Sequence, residues 1–245
     1  MIFTKAGKLK ALLKSPYYRK KLFFQYVAAG VEHEEILLGL DCQTVIDIGA
    51  GRGQFALAAR NCLPASQIIS FEPLPGSAAK FRKVFEGDEK VVLHEAAIGP
   101  VSGAALMHVS KREDSSSLLP ITSAQVSVFP GTEEATTLNV RVNRLAEFVS
   151  PEDICPNALL KLDVQGYELE ALRGCEELLA RFCHVYVECS YVELYAGQAL
   201  AEEVIEWLRG QGFLFLAKYN TVFGHDGKPI QADLLFRRQE SACAS

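Results

Sequence analysis

The sequence predicts an α/β chain with a doubly wound, mostly parallel seven-stranded sheet, an N-terminal helical extension and an inserted β-hairpin. Three observations predict it. Short apolar, β-branched runs alternate with helix-like stretches between residues 44 and 236. A glycine-rich turn, Asp47-Ile48-Gly49-Ala50-Gly51-Arg52-Gly53, joins the first strand to the helix after it. An acidic residue, Glu72, ends the second strand.

The elements follow in order. Residues 1–21 hold seven Lys or Arg and no acid, so the rest of the chain carries −12 within a total of −5. Leu9, Leu12, Leu13, Pro16 and Tyr17 suggest a short amphipathic basic helix, with a second through Leu22-Phe23-Phe24. This unit, residues 1–41, reads as a helical cap on the sheet, or as a peripheral contact with a membrane surface or an acidic partner. The domain proper is expected over 42–240. Residues 44–48 are the first strand, 54–60 a helix and 68–71 the second strand. Residues 75–86 form a helix with Ala78, Ala79, Phe81 and Phe85 on its apolar side, and 90–94 are the third strand.

Residues 96–110 alternate weakly around Gly99-Pro100 and Ser102-Gly103, as a hairpin would where a plain fold has a helix. Residues 111–137 are polar and aperiodic, hence a substrate loop or a disordered segment. Residues 138–142 are a short alternating strand. The fourth strand is 158–163, and a helical turn over 167–173 stops at Gly174. The fifth strand is 183–188, and an amphipathic helix over 200–209 ends at Gly210. Residues 213–216 and 233–236 complete the sheet as a hairpin.

Composition narrows the function. Hydrophobic residues make up 49% of 245 positions, ample for the core of one domain. A net charge of −5 argues against a nucleic-acid partner, which usually demands a basic face. The seven cysteines (42, 62, 155, 175, 183, 189, 243) contain no C-x-x-C pair and read as reduced, mostly buried thiols of a cytoplasmic protein. No signal peptide and no bilayer-spanning apolar run is visible.

The glycine loop separates two ligand classes. A dinucleotide fingerprint requires glycine at 54, where this chain has Gln54. Asp47 ahead of the loop serves a pyrophosphate poorly, since that group wants N–H donors and no nearby anion. A cationic nucleoside is better served. S-Adenosylmethionine carries a sulfonium and an ammonium and no phosphate, so it is the expected ligand. A non-catalytic nucleoside-binding scaffold and a nicotinamide-dependent oxidoreductase are the alternatives. Donor contacts are expected from Asp47, Gly49, Ala50, Gly51 and Gly53, from Glu72-Pro73 at the ribose, and from Glu95-Ala96 beside the adenine. Asp47 would orient the loop or attract the ammonium.

Ligands of open α/β sheets sit beyond the carboxyl ends of the strands, which selects Asp163 and Glu188 for chemistry. Val-Gln-Gly follows Asp163, without the Pro-Pro-aromatic run common in amine methylation of bases. A hydroxyl acceptor needs a base within reach, and Asp163 or Glu188 fits that role. Alternatively the two carboxylates hold a divalent cation. Lys161 shares strand parity with Asp163 and needs a partner if buried. Ser115 and Ser116 offer hydroxyls to a polar substrate such as a sugar, or are an ordinary solvated loop. His94 and His184 read as structural.

These motifs resemble the FkbM-type S-adenosylmethionine-dependent methyltransferases. The matching pieces are residues 45–53, Phe71-Glu72-Pro73, residues 93–99, Ser115-Ser116-Ser117-Leu118, residues 160–168 and Val187-Glu188. The run Lys161-x-Asp163-Val164-x-Gly166-x-Glu168 is the most specific of them. The resemblance covers roughly residues 42–218. It implies a class I methyltransferase fold, O-methylation of sugar or polyketide-like hydroxyls, and donor contacts at Asp47, Gly49, Gly51 and Glu72. The family usually shows Asn where Gly51 stands, and often Asn near Glu95.

Overall fold

The computed structural model describes residues 5–155 and 157–239, leaving Cys243 and the ends of the expected 1–41 and 42–240 units outside the described residues. Its strands, in chain order, are β1 Thr44–Ile48, β2 Gln67–Phe71, β3 Val91–His94, β4 Ala97–Ile98, β5 Gly103–Ser110, β6 Glu134–Asn143, β7 Ala158–Leu162, β8 Phe182–Ser190, β9 Phe213–Phe223 and β10 Pro229–Arg238. The helices are α1 Lys5–Lys14, α2 Pro16–Gln25, α3 Glu34–Leu40, α4 Gln54–Cys62, α5 Pro75–Val84, α6 Ser123–Val128, α7 Glu168–Gly174, α8 Glu176–Leu179 and α9 Ala201–Gly210.

Seven strands form one sheet in the order β3-β2-β1-β7-β8-β10-β9. The first five pair in parallel, while β10 runs antiparallel to both its neighbours. Strand order reverses beside β1, and such a switch point opens a crevice at the carboxyl ends of the strands. All five residues of β1 are buried. Its alternate residues feed two cores: Ile46 and Ile48 pack with α7 to α9, and Val45 packs on the opposite face with α4, α5 and the N-terminal helices.

The N-terminal helices are part of that second core. Ser15 caps α2 by accepting from the Tyr18 N–H, and Pro16 follows at the first helical position. Leu12, Tyr18, Val31 and Leu37 are buried against Phe55 and Phe81. Tyr18 donates to Glu34 Oε1 at 2.6 Å, tying α2 to α3.

The insertion differs from the expected hairpin. β5 pairs antiparallel with β6, and β4 lies parallel on the other side of β6. Gly99-Pro100 and Ser102 lie in the turn between β4 and β5, and Pro100 has no N–H to give a ladder. The strand expected over 138–142 is the second half of β6, whose first half is exposed and polar. The intervening segment is ordered: it holds a 3₁₀ turn Glu113–Ser115 and α6, capped by Thr122. At the far edge β9 runs to Phe223 rather than 216, because its half-exposed second half carries polar residues. Among the described residues no helix is long and apolar enough to cross a membrane. The six described cysteines are free thiols.

Candidate active site

A cavity of about 510 Å³ lies at the carboxyl ends of β1, β2, β7 and β8. Its size suits a small-molecule site. Residues from Ala28 to His33 close one side, and residues from Arg112 to Leu118 another.

One half is built from backbone and a single carboxylate. Gly49 turns the chain at φ +79°, and a Cβ there would lie 1.8 Å from the Asp163 carbonyl oxygen. Only glycine permits this approach of the two loops. Glu72 is 6% exposed and accepts from two backbone groups, Gly51 N–H to Oε2 and Leu74 N–H to Oε1, each at 2.8 Å. Each oxygen keeps capacity for one more donor, which fits a vicinal diol. Burial pushes the Glu72 carboxyl up to about 7, against the pull of those two N–H groups. The absence of side chains at Gly49 and Gly51, together with this twice-anchored acid, fits the nucleoside end of S-adenosylmethionine.

Beneath the loop, strand register sets Asp47 beside Lys161. Lys161 Nζ is 2.9 Å from Asp47 Oδ1, donates to the Gly49 carbonyl at 3.1 Å and stands 3.9 Å from Asp163 Oδ2. Burial opposes its charge, but Asp47, Asp163 and Glu188 outweigh that and hold the ammonium above its ordinary pKa. Asp47 is therefore a support under the loop, fully buried and paired.

The other half follows β7. Gln165 adopts φ +55°, rare for a residue with a Cβ, and Gly166 follows at +95° with its α-carbon against the Tyr195 ring. Glu168 Oε1 accepts from Val164 N–H and Gly166 N–H, both at 3.1 Å, and fixes this turn. The turn aims the Gln165 amide between the two acids: Nε2 donates to Asp163 Oδ1 at 2.8 Å and to Glu188 Oε2 at 2.9 Å. The Tyr195 hydroxyl lies 2.8 Å from Gln165 Oε1 and 3.0 Å from the Ser115 carbonyl, joining the inserted segment to the turn. Burial, then the charges of Asp163 and Asp233, raise the Glu188 pKa well above the ordinary carboxylate range.

A third group reaches the cavity from the N-terminal unit. The Tyr186 hydroxyl donates to Asp233 Oδ2 at 2.9 Å, and His33 Nδ1 is 3.0 Å from the same hydroxyl. With the tyrosine proton committed to Asp233, His33 Nδ1–H is the donor to that hydroxyl.

Gly49, Ala50, Gly51, Glu72, Pro73, Ala96, Ser115, Ser116, Asp163 and Glu188 thus share one cavity wall. Three expected residues lie elsewhere. Asp47 is beneath the loop. Gly53 starts α4 against Phe81 and Phe85. Glu95 turns outward to an ion pair with Arg82, both partly exposed. Ser116 Oγ accepts from the Ser110 N–H, holding the segment's own turn. The two carboxylates expected to seat a cation, Asp163 and Glu188, are bridged instead by the Gln165 amide. Among the described residues no three acidic, Cys or His side chains gather as a metal site. Gln165 and His33 were not singled out by sequence. Gln165 carries no chemistry of its own type, and His33 reaches the cavity only through packing of distant elements.

This sheet order, with a glycine loop above an acid that ends the second strand, defines the class I methyltransferase fold. A family model described as the methyltransferase FkbM domain matches residues 47–215. The chain belongs to that family and is an S-adenosylmethionine-dependent methyltransferase; the nicotinamide and scaffold alternatives fall away. It is 28% identical over 170 residues to the 2-O-methyltransferase NoeI of Sinorhizobium fredii, covering 67% of this chain and 70% of that one. It is 27% identical over 203 residues to the 31-O-demethyl-FK506 methyltransferase FkbM of Streptomyces tacrolimicus, covering 73% and 75%. The fold is shared with the crystal structure of a methyltransferase FkbM from Methylobacillus flagellatus KT, at a TM-score of 0.55 and 12% identity. That match covers 96% of this chain, which spans about half (56%) of the longer structure.

Proposed function

We propose that the enzyme methylates a hydroxyl group of a small molecule or glycan. The observation that carries this reading is the cavity-facing pair Asp163 and Glu188, held by Gln165, with Glu188 made a stronger base than an ordinary carboxylate. A hydroxyl must lose its proton as the methyl arrives, and a base of raised pKa suits that transfer. The printed names of two relatives, a 2-O-methyltransferase and a 31-O-demethyl-FK506 methyltransferase, support oxygen as the acceptor atom.

When bound, the donor supplies an electrophilic methyl group on sulfur. Gly49, Ala50 and Gly51 would hold it through the backbone, Glu72 through its ribose hydroxyls, and Ala96 beside its base. Glu188 takes the acceptor proton, and Asp163 orients the hydroxyl. Ser115 and Ser116 line the acceptor side. Positioning two reactants in one closed site supplies most of the acceleration. The proposed division is a helical unit of residues 1–41 on a donor-binding domain of residues 42–240. The basic N-terminus, and not the cavity, is the proposed site of peripheral contact.

A second reading rests on the chain from His33 through Tyr186 to Asp233, which leaves Nε2 able to accept the proton instead. A screen of hydroxylated acceptors, followed by Glu188→Gln and His33→Asn, separates the two. The variant that loses turnover while keeping affinity for S-adenosylhomocysteine marks the base. Methylation of amines with no hydroxyl acceptor turned over would overturn the proposal.

A further inference from the structure

We propose that α1 and α2 form a docking surface for an anionic membrane. Over the rest of the molecule exposed cations either sit beside an acid, as in Arg60 with Asp88, Arg82 with Glu95 and Arg144 with Glu177, or stand scattered, as Lys83, Arg209 and Arg237 do. The first two helices gather theirs. The side chains of Lys10, Lys14, Arg19 and Lys20 make no ion pair or hydrogen bond among the described residues.

Apolar side chains stand on the same faces. On α1, Leu9 and Leu13 are exposed next to Lys10 and Lys14, while Leu12 points into the core. On α2, Phe23 and Phe24 lie one turn after Arg19 and Lys20 and are 60% and 72% exposed, while Tyr18 is buried on the other side. Tyr26 follows at 84% exposed. Both helices have therefore completed their packing inward and still present large apolar groups among unpaired cations to water. A scattered exposed apolar residue is ordinary, but aromatic neighbours within a basic cluster mark an interaction surface.

The chemistry selects the occupant. The cations require an anionic partner. Three of the four unpaired cations are lysines, which protein interfaces disfavour relative to arginine, whereas lipid headgroups attract either. Lysine stems lie along an interface with their heads in water while phenylalanine enters it. A basic cluster together with inserted apolar groups supplies the two signals that lasting peripheral binding requires. The rest of the chain carries −12, so an anionic surface repels it and turns the N-terminal face inward. Lys8 and residues 28–33 of the same unit line the cavity, so docking places the cavity close to the lipid surface.

The test is sedimentation of the full chain with vesicles of phosphatidylcholine alone, and of phosphatidylcholine mixed with phosphatidylglycerol. Binding is expected only to the anionic vesicles and is expected to weaken as salt rises. Replacing Lys10, Lys14 and Lys20 by Gln is expected to weaken it about fivefold per cation. Phe23→Ser with Phe24→Ser is expected to abolish it while leaving affinity for S-adenosylhomocysteine unchanged, which verifies the fold. No binding to anionic vesicles, or binding that neither variant affects, overturns the proposal. So does retention by polyglutamate without vesicle binding, which assigns the cations to an acidic protein. A dimer that the Phe23, Phe24 variant dissociates, again without vesicle binding, assigns the face to a second copy and also overturns it.

Discussion

Glu72 illustrates how one residue couples folding to ligand capture. Its oxygens anchor the glycine loop and the start of α5 while keeping capacity for two hydroxyl donors. Below about 7 the carboxyl holds a proton and loses acceptor capacity. Affinity for S-adenosylhomocysteine is therefore expected to increase as pH rises through about 7, and Glu72→Gln is expected to flatten that dependence. Stability runs the other way. The folded carboxyl keeps a proton that the unfolded one, with an ordinary value of 4.5, releases, so this contribution is lost as pH rises from about 4.5 to about 7. In the acceptor half, Asp163→Asn and Glu188→Gln are expected to lower kcat by roughly 10²–10⁴ with little change in donor affinity. Stopped assays alongside calorimetry would separate the two effects. Glu72, Asp163 and Glu188 were legible in the sequence because an acidic residue at or near the end of a buried strand has few structural reasons to be there. Glu95 obeyed the same pattern, yet it follows an edge strand, where an arginine and water are within reach.

At the scale of elements, the turns after β1 and β7 are built as one piece. Gly49 packs on the Asp163 backbone, and Lys161 ties Asp47 to the Gly49 carbonyl. Glu168 then fixes the turn that carries Gln165. This accounts for Lys161, Gly166 and Glu168 as mutual support of two loops, and leaves the Asp163 side chain to the cavity. Removing Lys161 leaves Asp47 buried without its partner, so Lys161→Met is expected to cost about 3–5 kcal/mol in denaturant unfolding. A loss within error would show that the pair does not stabilise the loops. The central strands were readable because burial on both faces demands unbroken apolar runs. The insertion was not: β5 and β6 are half exposed, their pairing spans a long connection, and neither carries a pattern that names its partner.

At the scale of the molecule, the N-terminal helices do more than cap the sheet. They fill one core and wall the cavity with residues 28–33. Sequence alone supplied their basic charge and the amphipathic reading of the first, but not that the unit reaches the site, since that depends on packing against α4 and β8. The central claim is that the cavity of about 510 Å³ is a donor site organised by Glu72. Calorimetric titration of S-adenosylhomocysteine into the native chain and into Glu72→Ala tests it most directly. The account expects micromolar binding by the native chain and at least about tenfold weaker binding by the variant, since a hydrogen bond to a charged group contributes about 1.5–3 kcal/mol. Absence of binding to the native chain, or equal affinity in a folded Glu72→Ala variant, would contradict it.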